Sequence, residues 1–267
     1  FNAQVSVLLG PGINIKRSPL CGRNFEYFSE DPYLAGQLGS SYVQSLQGTG
    51  VAACLKHFAA NSQETHRQTA DSRIDPRALR EIYLSAFETV IKTAKPASVM
   101  AAYNKLNGTY ACENRSLLTD ILRREWGFDG AVISDWGACT NLTRALQAGM
   151  DLEMPDSRGI HKKLLRRDLA AGKIDPAAIE TAAHRVAKLA DTYAVEHRKR
   201  QKPYDIAHHH SLSVQCAEES AVLLQNDGIL PLKIRQSVRC APTSRRGSGA
   251  TCWSWPPAPA RPARRPA

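Results

Sequence analysis

The feature that most constrains the fold is a repeated alternation of short apolar runs with amphipathic helical segments. The apolar runs carry nonpolar side chains at successive positions, which suits parallel strands buried on both faces. Helical segments open with an acid before a proline, as at Asp31 and Pro32, a pattern typical of an N-cap and first helical residue. The alternation predicts an α/β fold. The predicted strands are 5–9, 51–55, 97–103, 131–134 and a short fifth, 152–154.

Polar residues directly follow several predicted strands, and their position separates two α/β architectures. A (β/α)8 barrel collects functional groups at the carboxyl ends of many strands, whereas a dinucleotide-binding open sheet relies on one glycine-rich loop. Neither GxGxxG nor GxxxxGK[ST] occurs in the sequence, so we expect no nucleotide and no other cofactor. We predict a TIM-barrel-like (β/α)8 domain, incomplete at its N-terminus. The polar residues are Arg23, Lys56, His57, Tyr103, Asn104, Asp135 and Trp136.

Composition divides the chain into three parts. A partial barrel is predicted over 1–196, and the linker and entry to a second α/β domain over 197–233. The polar linker holds His208–His210, which could bind a metal, but such runs are more often solvated and no metal site is predicted. Residues 234–267 contain seven Arg and no Asp, Glu or Lys. They offer too few apolar side chains to offset chain entropy, so we predict a disordered tail.

Charge and cysteine usage exclude several classes of protein. The formal net charge is +10, but seven of the cations lie in the tail. The remainder shows no basic face with interleaved aromatics, which argues against nucleic acid as a partner. No run of about 18 apolar residues occurs, so no membrane span is expected. Wide cysteine spacing and the lack of a signal-like start favour a cytoplasmic location, although the opening at Phe1 indicates a cut N-terminus.

Asp135 is the leading catalytic candidate. It ends an apolar strand and precedes Trp136. A carboxylate at a barrel strand end, beside an aromatic platform, suits sugar chemistry, because it can attack an anomeric carbon or stabilise an oxocarbenium ion. The alternative is a helix N-cap Asp beside a core Trp.

Basic side chains after two other strands could serve the same site. Lys56 and His57 can donate hydrogen bonds to hydroxyls, and the charge of Lys56 would lower the pKa of a nearby acid. The alternative is a solvated Lys with a satisfied His. Arg23 could bind two hydroxyls or a carboxylate with its guanidinium fork. Its alternative is an ion pair with Glu26 or Glu30.

Five sequence blocks, in order, resemble glycoside hydrolase family 3. A sixth stretch, 221–232, resembles that family's entry into its second domain, so the similarity extends over roughly 5–233. Several motifs in one order are far more specific than any single motif. The five blocks are Gly22 to Pro32, Lys56 to Asn61, Met100 to Asn104, Val132 to Ala138 and Ala148 to Pro155.

The resemblance implies a retaining β-glycosidase of the β-glucosidase branch, acting on a β-glucoside or oligosaccharide. The N-acetylglucosaminidase branch follows Lys-His with Phe-Pro-Gly-His-Gly, whereas this chain has Phe-Ala-Ala-Asn-Ser at 58–62. The roles implied are nucleophile for Asp135, sugar-hydroxyl binding for Arg23, Lys56 and His57, a place beside the nucleophile for Tyr103, and pocket lining for Met100 and Trp136.

Two family residues are expected outside this chain. An Asp that grips the sugar is expected before Phe1, and the general acid/base Glu beyond Leu232, where the tail contains no Glu. The alternative to an enzyme is therefore a catalytically inert truncated product or a sugar-binding domain.

Overall fold

The computed structural model describes residues 5–199 and 205–231. Four of its strands form a parallel sheet in the order first, second, fourth and seventh along the chain. Leu152 forms an isolated parallel bridge with Ile133 at the edge of this sheet, within the short strand that the sequence predicts at 152–154. The predicted α/β fold with a parallel sheet is confirmed. The described strands are β1 (Val7–Leu8), β2 (Ala52–Phe58), β3 (Asp71–Ser72), β4 (Ser98–Ala101), β5 (Lys105–Leu106), β6 (Thr109–Tyr110) and β7 (Ala131–Ser134).

A second small sheet, made of β3, β5 and β6, lies outside the predicted pattern. β3 pairs in parallel with β5, and β5 pairs antiparallel with β6. The turn between β5 and β6 has positive φ at Asn107 and Gly108. These strands have two residues each, too short for an alternation of side chains to be visible in the sequence.

The helices begin where the acid–proline pairs predict. Asp31 accepts a hydrogen bond from the backbone of Tyr33, and Asp75 accepts from Arg77 and Ala78. Two segments, Leu79–Tyr83 and Ser116–Glu125, are π-helical rather than α-helical. The described α-helices are α1 (Pro32–Gly48), α2 (Pro76–Ala78), α3 (Ser85–Ala94), α4 (Leu142–Ala148), α5 (Ile160–Ala170), α6 (Pro176–Lys199) and α7 (Ile206–Ser220). Short 3₁₀ turns cover Asn24–Glu26 and Ala111–Glu113.

Side chains of the central strands alternate between two apolar clusters. One cluster joins Leu55, Val99 and Val132 to residues of the helices, and its aromatic contacts include the Phe58 and Phe87 rings, 5.2 Å apart. The opposite face holds a cluster built from strand residues, with partly buried apolar neighbours. A helix-covered outer face and an apolar inner face are typical of a barrel wall. The inner cluster contains Cys54, Met100 and Ile133, with Val7, Leu9, Leu152 and Met154 against it.

The chain divides into two units between Asp205 and Ile206. α6 extends to Lys199, past the boundary at 196 expected from the sequence. α7 covers 206–220, so the part of the expected linker that holds His208–His210 is helical. The predicted disordered tail, 234–267, lies outside the described residues. Within the part that the structure describes, no helix is both long and apolar enough to cross a membrane.

Candidate active site

Asp135 lies at the carboxyl end of β7, where the ends of neighbouring parallel strands meet. Its backbone N–H donates to the Ala101 carbonyl at 2.9 Å, which continues the ladder between β4 and β7. From the end of β2, His57 places its Nε2 atom 3.7 Å from Asp135 Oδ2. The structure therefore brings together two of the residues that the sequence singles out on separate strands.

The Asp135 carboxylate is buried, and only one of its two oxygens accepts a hydrogen bond. Its residue is 7% exposed, and Oδ1 accepts a 2.7 Å hydrogen bond from the Trp136 backbone N–H. Oδ2 is buried without a hydrogen-bond partner. Burial raises the pKa of this carboxyl, and the Trp136 N–H and the charges of nearby cations offset only part of that rise. An oxygen held this way is available to a bound molecule.

His57 is held as a neutral ring. It is 1% exposed, and burial together with the charges of Arg23, Lys56 and Arg67 lowers its pKa to about 2. The Tyr27 hydroxyl lies 3.1 Å from Nδ1, and burial raises the pKa of that phenol. A protonated Tyr27 donating to Nδ1 leaves the imidazole proton on Nε2, the nitrogen that faces Asp135.

Asn14 fixes the backbone of His57. Its Nδ2 donates to the His57 carbonyl at 2.9 Å, and its Oδ1 accepts from the His57 N–H at 2.7 Å. Asn14 is itself buried. This pair of hydrogen bonds joins the segment after β1 to β2 and sets the position from which the imidazole reaches Asp135.

Arg23 and Lys56 share one carboxylate, that of Glu26. Arg23 Nε donates to Glu26 Oε1, and Lys56 Nζ lies 3.3 Å from Oε2. The ion pair considered for Arg23 as an alternative is thus present, with Glu26 as the partner. Burial alone would raise the pKa of Glu26, but the bonds and charges of the two cations outweigh it and lower the pKa. Glu26 therefore holds two cations beside the site as an ionised group.

Tyr103 and Arg67 form another wall. The Tyr103 hydroxyl donates to the Trp136 carbonyl at 2.7 Å, and the Arg67 guanidinium lies 4.5 Å from the centroid of the Tyr103 ring. Burial and the negative charge of Asp135 raise the pKa of Tyr103. Arg67 is also paired with Glu64 at 2.8 Å. These contacts tie the segments after β2 and β4 to the loop that carries Asp135.

Two of the predicted pocket residues differ in environment. Trp136 is 52% exposed, as an apolar platform open to a ligand would be. Met100 is 3% exposed and packs in the inner apolar cluster with Cys54 and Ile133. Its backbone places it one strand position before Ala101, close to the strand ends, while its side chain contributes to the barrel interior.

Sequence reasoning missed Asn14, Tyr27 and Arg67. A polar Asn within the apolar stretch after the first strand was the available signal for Asn14. Arg67 gave none, since it stands among polar residues of a loop, and Tyr27 lies in the block Gly22 to Pro32 without a pattern that marks it as a partner of His57. Their contacts with His57 and Tyr103 depend on which loops the strands bring together.

Comparison with known proteins identifies the family. The sequence profile described as the glycosyl hydrolase family 3 N terminal domain matches residues 2–189. The chain belongs to glycosyl hydrolase family 3. The resemblance inferred from the five sequence blocks is thereby confirmed.

Relatives in this family match most of the chain. Thermostable beta-glucosidase B of Acetivibrio thermocellus is 54% identical over 230 residues, 86% of this chain and 30% of the relative. An exo-alpha-(1->6)-L-arabinopyranosidase of Bifidobacterium longum is 48% identical over 231 residues, with the same two shares. The chain thus spans about 30% of the length of the curated relatives it matches.

Solved structures of the family share the fold. The structure of beta-glucosidase 3B from Thermotoga neapolitana in complex with alpha-D-glucose matches with a TM-score of 0.80 and 43% identity. The match covers 86% of this chain and 33% of that one. A beta-glucosidase from Kluyveromyces marxianus also matches with a TM-score of 0.80, at 38% identity. These neighbours confirm the predicted TIM-barrel-like fold.

Proposed function

We propose that this chain carries the nucleophile side of the active site of a glycoside hydrolase that releases β-linked glucose from non-reducing ends. The observation that carries the proposal is the buried Asp135 carboxylate, whose Oδ2 has no hydrogen-bond partner and faces His57 Nε2. The names of the family relatives and the glucose bound to a structural neighbour support glucose as the sugar.

In the proposed reaction Asp135 Oδ2 attacks the anomeric carbon while the bond to the leaving oxygen breaks and that oxygen takes up a proton. Water then cleaves the glycosyl ester, so the anomeric configuration is retained overall. The neutral His57 would donate from Nε2 to a sugar hydroxyl. Arg23 and Lys56, already held by Glu26, would donate to others.

The remaining roles follow from position. The Tyr103 hydroxyl, fixed to the Trp136 carbonyl, would stand beside the nucleophile. The exposed Trp136 ring would lie against the apolar face of a sugar, and Met100 would line the floor of the pocket. Arg67, which the sequence did not single out, joins this group because it stacks on Tyr103.

We further propose that the general acid/base is a Glu beyond Leu232 that is not in this chain. Two described carboxylates next to the site are already engaged by cations. Glu26 pairs with Arg23 and Lys56, and Glu64 pairs with Arg67. A carboxylate held ionised by two cations is a poor proton donor at neutral pH, which argues against Glu26 for this task.

Covalent trapping tests the nucleophile in the chain as it stands. A dinitrophenyl 2-deoxy-2-fluoro-β-glucoside has a leaving group that needs little protonation, and its fluorine slows hydrolysis of the glycosyl-enzyme. We expect one fluoroglucosyl group per chain, carried by the peptide that contains Asp135. Intact-protein mass spectrometry and peptide mapping measure the stoichiometry and the position.

Two variants serve as controls for the trapping. Asp135→Asn should remain unlabelled, whereas Asp129→Asn should be labelled normally, since Asp129 is an exposed acid paired with Lys188. A label on any other carboxylate would refute the assignment. Binding of glucose without any labelling would instead favour the sugar-binding alternative. A matched α-L-arabinopyranoside probe compares the two sugars that the relatives' names suggest.

The charge of Arg67 should set the acid limit of labelling. Its positive charge lowers the pKa of Asp135, against the larger effect of burial. Arg67→Met removes that charge, so the carboxylate ionises only at higher pH. The pH below which the labelling rate falls, which is the acid limb of the pH profile, should therefore be higher in this variant. Arg67→Lys keeps the charge and should leave the limb near its wild-type position. Identical pH profiles for the Met and Lys variants would contradict this electrostatic role.

A further inference from the structure

Three side chains outside the proposed sugar site converge from separate segments. Cys139 follows β7, Glu153 follows the Leu152 bridge, and His161 is the second residue of α5. The Cys139 Sγ, one Glu153 carboxylate oxygen and one His161 ring nitrogen all lie within 4.8 Å of one another. His161 Nδ1 and Glu153 Oε1 are 2.5 Å apart. Among the described residues, these three side chains make no hydrogen bond or ion pair with Asp135, His57 or Tyr103.

We propose that Cys139, Glu153 and His161 bind one divalent zinc-class cation. Thiolate, carboxylate and imidazole are the three donor types that Zn²⁺ takes from proteins. The three ligands would leave a fourth tetrahedral position for water. No sequence pattern points to this site, because its ligands are separated by 14 and 8 residues and fit no recognised spacing.

The surroundings hold two of the donors in place. Ser157 Oγ donates to Glu153 Oε2 at 3.4 Å and accepts from the His161 backbone N–H at 3.0 Å. Ser157 thereby supports both the carboxylate and the first turn of α5, in the way that outer groups orient metal ligands. The Glu153 and His161 side chains are 13% and 20% exposed, which gives an ion a path to the buried Cys139.

Binding requires a small rearrangement and the release of a proton. Two ligands of a tetrahedral zinc ion stand roughly 3.3 Å apart, so Nδ1 and Oε1 must separate by about 0.8 Å. The Nδ1 proton moves to Nε2 or to solvent, which frees the Nδ1 lone pair. The thiol proton of Cys139 also leaves to solvent as the sulfur–metal bond forms. The cation must displace this proton, because the thiolate is the form of cysteine that binds a metal.

An ion here would act on the proposed active site through the backbone. Gly137 N–H donates to the Met154 carbonyl at 2.8 Å, and Ser134 Oγ contacts the same carbonyl at 3.1 Å. Cys139 is two residues after Gly137, and Glu153 directly precedes Met154. The cation would therefore fasten the loop after β7, which carries Asp135 and Trp136, to the start of α5.

Cobalt titration of the full 267-residue chain tests the site. Co²⁺ replaces Zn²⁺ in such sites, and a thiolate ligand gives a near-ultraviolet charge-transfer band that histidines alone do not. We expect the band to saturate at one equivalent, to be lost on addition of Zn²⁺, and to be absent from Cys139→Ser. His161→Gln should bind Co²⁺ at least tenfold more weakly, and Ser157→Ala roughly 10–100-fold more weakly.

Cys216→Ser is the matched control, since Cys216 is an exposed free cysteine. It should keep the band, and Zn²⁺ should raise the Tm of this variant and of the wild type but not that of Cys139→Ser. No thiolate band in the wild type overturns the proposal, as does a band that persists in Cys139→Ser or disappears in Cys216→Ser. If Cys139→Ser does not fold, His161→Gln decides: wild-type affinity in that variant also overturns the site.

Discussion

Asp135→Asn is expected to lower turnover of a dinitrophenyl β-glucoside by roughly 10⁴-fold or more, the scale seen when a hydrolase loses its covalent nucleophile. The amide cannot form the glycosyl ester, while its Oδ1 can still accept the 2.7 Å hydrogen bond from the Trp136 N–H. The measurement is kcat/KM for the variant against the wild type, with Asp129→Asn as the control that should keep wild-type turnover.

The same substitution should stabilise the fold. Burial raises the pKa of Asp135 above its unfolded value, so the folded state favours the protonated carboxyl. The free energy of unfolding of the wild type therefore falls as the pH rises from the unfolded-state pKa of Asp135 through its folded-state pKa. It stays lower at neutral pH. Asn carries no charge and removes this cost, so we expect the Tm of the variant to lie above that of the wild type at neutral pH.

This pairing of lost turnover with gained stability distinguishes a functional carboxylate from a structural one. At low pH, where the wild-type carboxyl is protonated, the difference in Tm between the two chains should become smaller. An Asn variant that keeps turnover would remove Asp135 from the mechanism. A variant that is less stable at neutral pH would show that Asp135 serves the fold instead.

Asp151→Ala is expected to destabilise the fold by about 3–5 kcal/mol, because it leaves the largely buried Arg123 and the partly buried Arg185 without their partner. The Asp151 side chain is 1% exposed and binds two guanidinium groups, Arg123 at 2.6 Å and Arg185 at 3.1 Å. Its Oδ2 also accepts from the Val132 N–H at 2.7 Å. The carboxylate thus joins β7 to the Ser116–Glu125 helix and to α6.

Urea unfolding followed by circular dichroism measures this loss. Asp129→Asn provides the comparison, since the Asp129 side chain is 85% exposed and its pair with Lys188 should matter by less than about 0.5 kcal/mol. Equal midpoints for Asp151→Ala and Asp129→Asn would contradict the structural role of Asp151. Arg123→Met in the Asp151→Ala background should recover part of the loss, since it removes the stranded charge.

The sequence by itself determined the order of elements and the place of the nucleophile candidate. Apolar runs and acid–proline starts are local, so they predict strands at 51–55, 97–103 and 131–134 and helices from Pro32 and Pro76 onward. The structure has these strands at 52–58, 98–101 and 131–134. Asp135 is visible for the same reason, as a carboxylate directly after a buried strand. The two-residue strands of the second sheet and the π-helical winding carry no local pattern of this kind.

Only the tertiary structure decided how the site is built. The Asn14 contacts with His57 join residues that are 43 positions apart, and those of Tyr27 join residues 30 apart. Whether Lys56 reaches Glu26, and whether Asp135 Oδ2 has a partner, depends on which loops the parallel strands bring together. Hydrogen bonding and desolvation act over a few ångströms in space. A residue's neighbours along the chain therefore cannot reveal them.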